Sequence, residues 1–312
     1  MIVVAGEALV DLVVEPSDPE HPVAHPGGSP ANVAVTLARL GSAVSFVGRS
    51  SGDAFGRLTR DHLAHDKVDL RHLVEAAEPA SLAVVSVGAD GGAEYSFHVA
   101  GTADWGWCVE ELPGRLDADV TAIHAGSLAM VLPPGGDVLT GWIERRDPSV
   151  TFSLDPNVRP ALVGDRAAYQ KRLERWVSMS DLVKVSAEDL AWVYPGLDPL
   201  ATAARWATQE AAPRLVVVTF GVDGVLAHLG THPIRRPSPE VKVVDTVGAG
   251  DAFSGGLLDW LDRQDRLRPD ALARLTADEA AAAVDFAARV AAVTCSRPGA
   301  DPPYRHDLDP SS

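Results

Sequence analysis

Lysine is scarce in this chain. Only Lys67, Lys171, Lys184 and Lys242 occur among 312 residues, and none follows a glycine, so there is no Walker A loop. Cysteine is scarcer still. Cys108 and Cys295 stand far apart, which excludes a disulfide scaffold and a cysteine-rich zinc site and suits a reducing, cytoplasmic setting. Each reads most simply as a small core residue. No apolar run approaches the roughly 18 residues that would span a bilayer, and Met1 leads directly into Ile2-Val3-Val4-Ala5 with no basic leader. Gly-x-Gly-x-x-Gly and His-Glu-x-x-His are both missing, which removes the dinucleotide fingerprint and the zinc protease. Positive charge is short as well. A formal net charge of −16 leaves no basic footprint for nucleic acid or an anionic membrane.

What is present is ordinary for a globular protein: 46% hydrophobic and 22% charged residues. The length fits one large α/β domain or two small ones. From Val120 onward strands and helices alternate. Strands are expected at Val120–His124, Val150–Leu154, Leu182–Val185 and Leu215–Phe220. Helices are expected near Gly136–Arg146, Arg166–Val177, Glu188–Val193, Pro199–Glu210 and Ala277–Val293. This alternation predicts a doubly wound, mostly parallel sheet, whose ligands lie beyond the carboxyl ends of its strands. No repeat or long linker interrupts it, and Pro302–Ser312 reads as a loose tail.

The amino-terminal part is organised differently. Met1–Val14 reads as strand, interruption, strand, with Asp11 set among Leu9, Val10, Leu12 and Val13. Asp11 suits either the exposed face of an edge strand or a carboxylate turned into a pocket. Glu15–Pro26 reads as a loop. Ser29 suits an N-cap, Pro30 the first helical turn and Gly41 the C-terminal stop of a buried helix. Asn32 in the first turn of that helix needs polar partners. Val44–Val47 reads as a strand, and Gly52-Asp53-x-Phe55-Gly56 opens another helix. Ser81–Gly88 and Ala93–Val99 read as a hairpin turning at Asp90-Gly91-Gly92.

The most specific stretch is Asp245-Thr246-Val247-Gly248-Ala249-Gly250-Asp251-Ala252-Phe253-Ser254-Gly255-Gly256. The β-branched run Val241–Val244 before it reads as a strand, and the apolar spacing of Phe253, Leu257, Leu258 and Leu261 starts a helix near Asp251. Glycines in such a turn let successive amides point into one concavity, backed by the positive end of the helix. Asp251 is then either a cap or a general base beside a phosphate cradle.

This spacing resembles the carboxyl-terminal signature of the ribokinase-like (PfkB) sugar kinases. The run Gly27-Gly28-Ser29-Pro30-Ala31-Asn32 resembles their amino-terminal signature. The resemblance covers nearly the whole chain and implies a ribokinase-like fold: one domain over residues 1–312, with a small β lid built from about 8–26 and 80–105. It implies Asp251 as base and the amides of Gly248, Ala249 and Gly250 as anion hole. Asp11, Gly27, Gly28, Asn32, His98, Asn157 and Arg159, with Asp251, would bind sugar. Lys184, Ser186, Thr219, Gly221 and Gly224, with Gly248 and Gly250, would serve ATP.

Ser186-x-x-Asp189 stands where the family often has Asn-x-x-Glu, which implies Asp189 near Mg²⁺; a helix-capping box explains the same residues. Asp245 and Val247, with the segment 293–300, fall where the family often holds K⁺.

The implied activity is phosphoryl transfer from ATP to a primary hydroxyl of a small sugar. The stretches Gly6–Asp11 and Tyr95–Trp105 look most like bacterial fructokinases. A 2-keto-3-deoxygluconate kinase, a ribokinase, a nucleoside kinase and a non-catalytic sugar or nucleotide sensor on the same fold are the alternatives. The same resemblance is compatible with a homodimer.

Overall fold

The computed structural model describes residues 1–87 and 93–308. Among them the β-branched runs become strands. In chain order these are β1 (Ile2–Ala5), β2 (Leu9–Val14), β3 (Val23–Gly27), β4 (Val44–Ser51), β5 (Asp69–Ala76), β6 (Leu82–Val87) and β7 (Ala93–His98). There follow β8 (Ala122–Gly126), β9 (Thr151–Asp155), β10 (Leu182–Ser186), β11 (Leu215–Thr219), β12 (Val225–Leu229) and β13 (His232–Arg236).

Nine strands form one sheet in the order β13-β12-β11-β10-β9-β8-β1-β4-β5. It is parallel from β11 to β5, and β12 and β13 extend it antiparallel. Side chains alternate across it. Val3, Ala5 and Ile123 join Phe152, Trp176 and Trp206 on one face. Ile2, Val4 and Ala122 join Leu37, Phe253 and Val284 on the other. Both faces are covered, which is why β1, β8 and β9 are buried along their whole length. The doubly wound sheet expected from the strand–helix alternation is therefore present.

The second sheet has the order β3-β2-β6-β7, with β2 and β6 parallel and the outer pairs antiparallel. It grows from the carboxyl end of β1, since β2 and β3 lie between β1 and the buried helix Ser29–Leu40. That helix stops at Gly41, whose φ of 87° is left-handed and whose amide turns back to Leu37 and Ala38.

Several expectations need correction. Val241–Val244 forms no strand; it runs as irregular backbone with Val243 and Val244 about half exposed, because no neighbouring strand offers it a ladder. The helix after it begins at Ala249, two residues early. Part of the expected loop 15–26 is a strand, β3, recruited by pairing with β2. The tail is not loose as far as Leu308: Pro302 and Pro303 are buried, and Arg305 bonds Asp259 and the carbonyl of Leu40. Residues 309–312, like the turn Asp90-Gly91-Gly92, lie outside the described residues. Neither cysteine is a core residue. Cys108 is exposed and Cys295 half-buried, each at an element's end where the chain leaves the packed layer.

Candidate active site

The carboxyl ends of the central strands are in register, Gly126 beside Asp155 and Ser186 beside Thr219. They form one rim of the sheet, and the first turn of the helix Ala249–Arg263 meets that rim. Two features fix the helix there. Gly248 precedes it at φ 73°, where a Cβ would also come within 2.6 Å of Ala300. Gly255 and Gly256 let neighbouring helices come close: an added Cβ would strike Thr36 at 2.6 Å from one and Ala287 at 3.1 Å from the other. The helix is thus wedged between Ser29–Leu40 and Ala277–Cys295, with Asp251 facing the first.

Asp251 caps nothing, since the N-cap is Gly248. Its Oδ1 accepts from Ser29 Oγ at 2.7 Å and its Oδ2 from Asn32 Nδ2 at 2.8 Å. The residue is 8% exposed. Burial pushes its carboxyl above the ordinary range, against the pull of Ser29 and Asn32. A carboxylate gripped by two neutral donors and shielded from water is more basic than one at the surface, and basicity is what proton abstraction requires. Ser29 is not the N-cap that its sequence position suggests. Gly28 takes that place, and the hydroxyl of Ser29 serves Asp251.

Of the amides expected to bind anions, that of Ala249 turns back to Thr246 O at 3.3 Å. Those of Gly248, Gly250 and Asp251 meet no acceptor among the described residues. Lys184 reaches the same place from β10. A Cβ on Gly250 would lie 2.8 Å from Lys184 Nζ, so the ammonium stands directly beneath the turn. It is buried, donates to Asp155 Oδ2 at 2.9 Å, and keeps its proton because Asp155 and Asp251 outweigh the cost of burial. Ser254 also donates to Asp155 Oδ2, at 3.0 Å, while Asp155 Oδ1 is buried without a hydrogen-bond partner.

Ser186 accepts from the Asp189 amide at 3.0 Å and so caps the helix Ala187–Val193. The Asp189 carboxylate points the other way, accepting from Val158 N at 3.2 Å. Burial, with Asp155 nearby, pushes it up to about 6. No group of three or more His, Cys, Asp or Glu poised to hold a metal occurs among the described residues.

Asp11 lies mid-way along β2, opposite His25. Burial pushes its carboxyl up to about 6, opposed by Arg159 and His25 and helped by Asp251. Asp11, Arg159 and Asp251 therefore share one space. Gly27 closes against the Asp11 carboxylate, and Gly28, at φ 102°, packs on the carbonyl of Glu7. Arg159 Nη1 donates to Asn157 Oδ1 at 2.7 Å, which holds the guanidinium beside this space. His98 is exposed at the end of β7, and no described contact joins it to Asp251.

On the far side of Gly250 opens a cavity of about 740 Å³. Thr219, Gly221 and Gly224 form one wall; Val241, Val243, Phe253, Ala288 and Cys295 give it an apolar body. Val241 and Val243 of the exposed run are thus cavity wall, which explains their apolar character without a strand. Beyond Val243 the Asp245 side chain ties two segments together: its Oδ1 accepts from Val247 N at 3.0 Å and its Oδ2 from Gly299 N at 2.8 Å.

Sequence reasoning underrated Ser29, Asp155 and Ser254. A signal existed for Asp155: a lysine inside the fully buried Leu182-Val183-Lys184-Val185 demands a carboxylate across the ladder.

A doubly wound sheet with a small second sheet, and a buried carboxylate beside free amides at a nucleotide-sized cavity, define a class of phosphoryl-transferring enzyme. The chain belongs to the pfkB family of carbohydrate kinases, whose family model matches residues 1–307, and it is an ATP-dependent sugar kinase. Among its relatives, the fructokinase of Klebsiella pneumoniae is 35% identical over 312 residues, covering 99% of this chain and 98% of that one. The crystal structure of a fructokinase with bound ATP from Xylella fastidiosa superposes with a TM-score of 0.87 at 32% identity, over 96% of this chain and 93% of the other. A fructokinase double mutant from Vibrio cholerae O395, in its fructose, ADP and potassium ion bound form, gives 0.80 at 29% identity over the same shares.

Proposed function

We propose that this chain transfers the γ-phosphoryl group of ATP to the primary hydroxyl of fructose, giving fructose 6-phosphate. The observation that carries the reading is Asp251, pinned by Ser29 and Asn32 between the Asp11–Arg159 space and the free amides of Gly248 and Gly250. Fructose lies in that space with Asp11 accepting from its hydroxyls, and Gly28, Asn32 and Asn157 bound the same pocket. The four-stranded sheet serves as the lid over it, with His98 at its edge. ATP occupies the 740 Å³ cavity with its phosphates toward Gly250. Asp251 takes the hydroxyl proton as the oxygen attacks. The Gly248, Gly250 and Asp251 amides, with Lys184 beneath, stabilise the charge on the transferring group.

Mg²⁺ suits these residues in an indirect way. The described residues offer no protein cage, and Mg²⁺ ordinarily keeps several waters and binds substrate phosphates with one or two carboxylates. Asp155, with Oδ1 unpartnered, and Asp189 are the carboxylates that would hold its waters. Once bound, the ion neutralises phosphate charge. For K⁺ the Asp245 side chain is already committed to two amides. The main-chain carbonyls of Asp245 and Val247, which accept nothing among the described residues, are the ligands that remain.

The scarcity of cysteine supports a reducing, cytoplasmic setting; among the described residues no helix is long and apolar enough to cross a membrane. A coupled assay of ATP consumption with fructose, ribose, 2-keto-3-deoxygluconate and adenosine tests the reading. Fructose should give the highest kcat/KM. Preference for another acceptor overturns the sugar assignment, and ATP consumption with none of them overturns the reading itself.

A further inference from the structure

We propose that Asp104 is the positioning residue that anchors the four-stranded sheet to the main sheet, and through β2 sets Asp11 over the sugar. The inference rests on the sugar-kinase reading above. The chain leaves the main sheet twice and returns twice: out at Gly6–Ala8, back past the helix Ser29–Leu40, out again through 79–81, and back at 99–105. Both outward crossings meet on one carboxylate, which the second return carries. Asp104 Oδ1 accepts from the Ala8 amide at 2.9 Å, and Oδ2 accepts from Ser81 Oγ at 2.5 Å. Ser81 Oγ also lies 2.6 Å from Thr102 Oγ1, and its carbonyl accepts from Val10 N at 3.1 Å. Asp104 is 2% exposed, and Ser81 has no exposure at all.

The neighbouring crossings are tied just as closely. Ala103 N donates to Pro79 O at 2.9 Å, and Asp53 Oδ2 accepts from Ala80 N at 2.9 Å. Glu7, wholly buried on the same crossing, accepts from Ala129 N at 3.0 Å and so fixes the other end of the β1–β2 connection.

Ala8 is only three residues from Asp11, and β2 is an extended strand, so its register and tilt follow from where Ala8 is held. A buried carboxylate that loses one partner, or a buried amide that loses its acceptor, is costly, so the clamp has a narrow preferred geometry. No atom of Asp104 faces the sugar space or the nucleotide cavity in any described contact. It acts through Asp11.

The test compares Asp104→Asn and Ser81→Ala with the unaltered chain. The asparagine keeps an acceptor for Ala8 but weakens both charge-assisted bonds; the alanine removes only the Ser81 arm. Fructose KM should rise about tenfold for Asp104→Asn and less for Ser81→Ala, while the ATP KM stays within about twofold. Hydrogen exchange should quicken at Ala8–Val14 and Leu82–Val87 and stay unchanged in β8–β11.

Exchange does not depend on the identity of the sugar, so it distinguishes failure of this inference from failure of the fructose reading. Unchanged exchange in β2 and β6, or parallel rises in both KM values, overturns the proposal. Should Asp104→Asn not fold, Ser81→Ala decides alone: indistinguishable kinetics and exchange would overturn it.

Discussion

Asp251 and Asp11 are chemically the same residue with different company. Asp251 sits on a helix turn, held from both oxygens by Ser29 and Asn32; Asp11 sits on a strand, with Arg159 as its countercharge. Asp251→Asn preserves the shape, because Asn32 can rotate its amide to meet the new one, but removes the proposed base. We expect kcat to fall by more than about 10²-fold with an unchanged thermal midpoint. Near-normal turnover by the folded variant would remove Asp251 from the mechanism. In the proposed role Asp11 accepts from sugar hydroxyls as a carboxylate, and burial pushes that carboxyl up to about 6. Sugar binding should therefore weaken as pH falls through that value, by up to about tenfold per unit, as kcat/KM for fructose measured across pH would show. Asp11→Asn should flatten that component of the profile.

At the scale of elements, the helix Ala249–Arg263 matters most, because one turn of it divides the proposed sugar space from the proposed nucleotide cavity. Its position depends on Gly248. Alanine there would meet both a left-handed φ and the side chain of Ala300. We expect Gly248→Ala to raise the ATP KM by at least about fivefold, consistent with roughly 1–2 kcal/mol of backbone strain released by moving the turn. An unchanged ATP KM would show that the turn does not bind phosphate.

Elements of this kind were readable where local pattern and tertiary demand agreed. Pro30 and Gly41 bracket the helix between them, and the buried runs of β1, β8, β9 and β11 declare themselves. Val241–Val244 misled because β-branched residues serve a cavity wall as well as a strand. Ser29 misled because a hydroxyl before Pro30 suits a cap, and its true partner lies 222 residues away.

Across the whole molecule, buried acids are a recurring feature. Burial pushes Glu7 up to about 7 and Asp11, Asp104 and Asp189 each up to about 6, from ordinary values of 4.5 for Glu and 3.8 for Asp. The folded chain then binds more protons than the unfolded chain between those limits, so unfolding free energy decreases as pH rises through them. His124, pushed down to about 4 by burial, is neutral in both states above its ordinary 6.5 and does not oppose this in the upper part of the window. The thermal midpoint should consequently rise as pH is lowered from about 8 to about 6.5, with the net charge of −16 acting in the same direction. A midpoint that is flat or falls over that interval would show that these carboxyls are ionised in the folded protein.

Sequence alone determined the layered α/β architecture and marked the glycine turn and the aspartate proposed here as phosphate cradle and base, because each is written in residues close together along the chain. Periodicity, glycines at a turn and an aspartate after them are local facts. The tertiary structure decided everything that depends on residues far apart: Ser29 and Asn32 closing on Asp251, Lys184 finding Asp155 across the ladder, and Asp104 tying two crossings together. Hydrogen bonds act over about 3 Å in space and carry no record of separation in sequence, so only the folded chain reveals which polar groups meet.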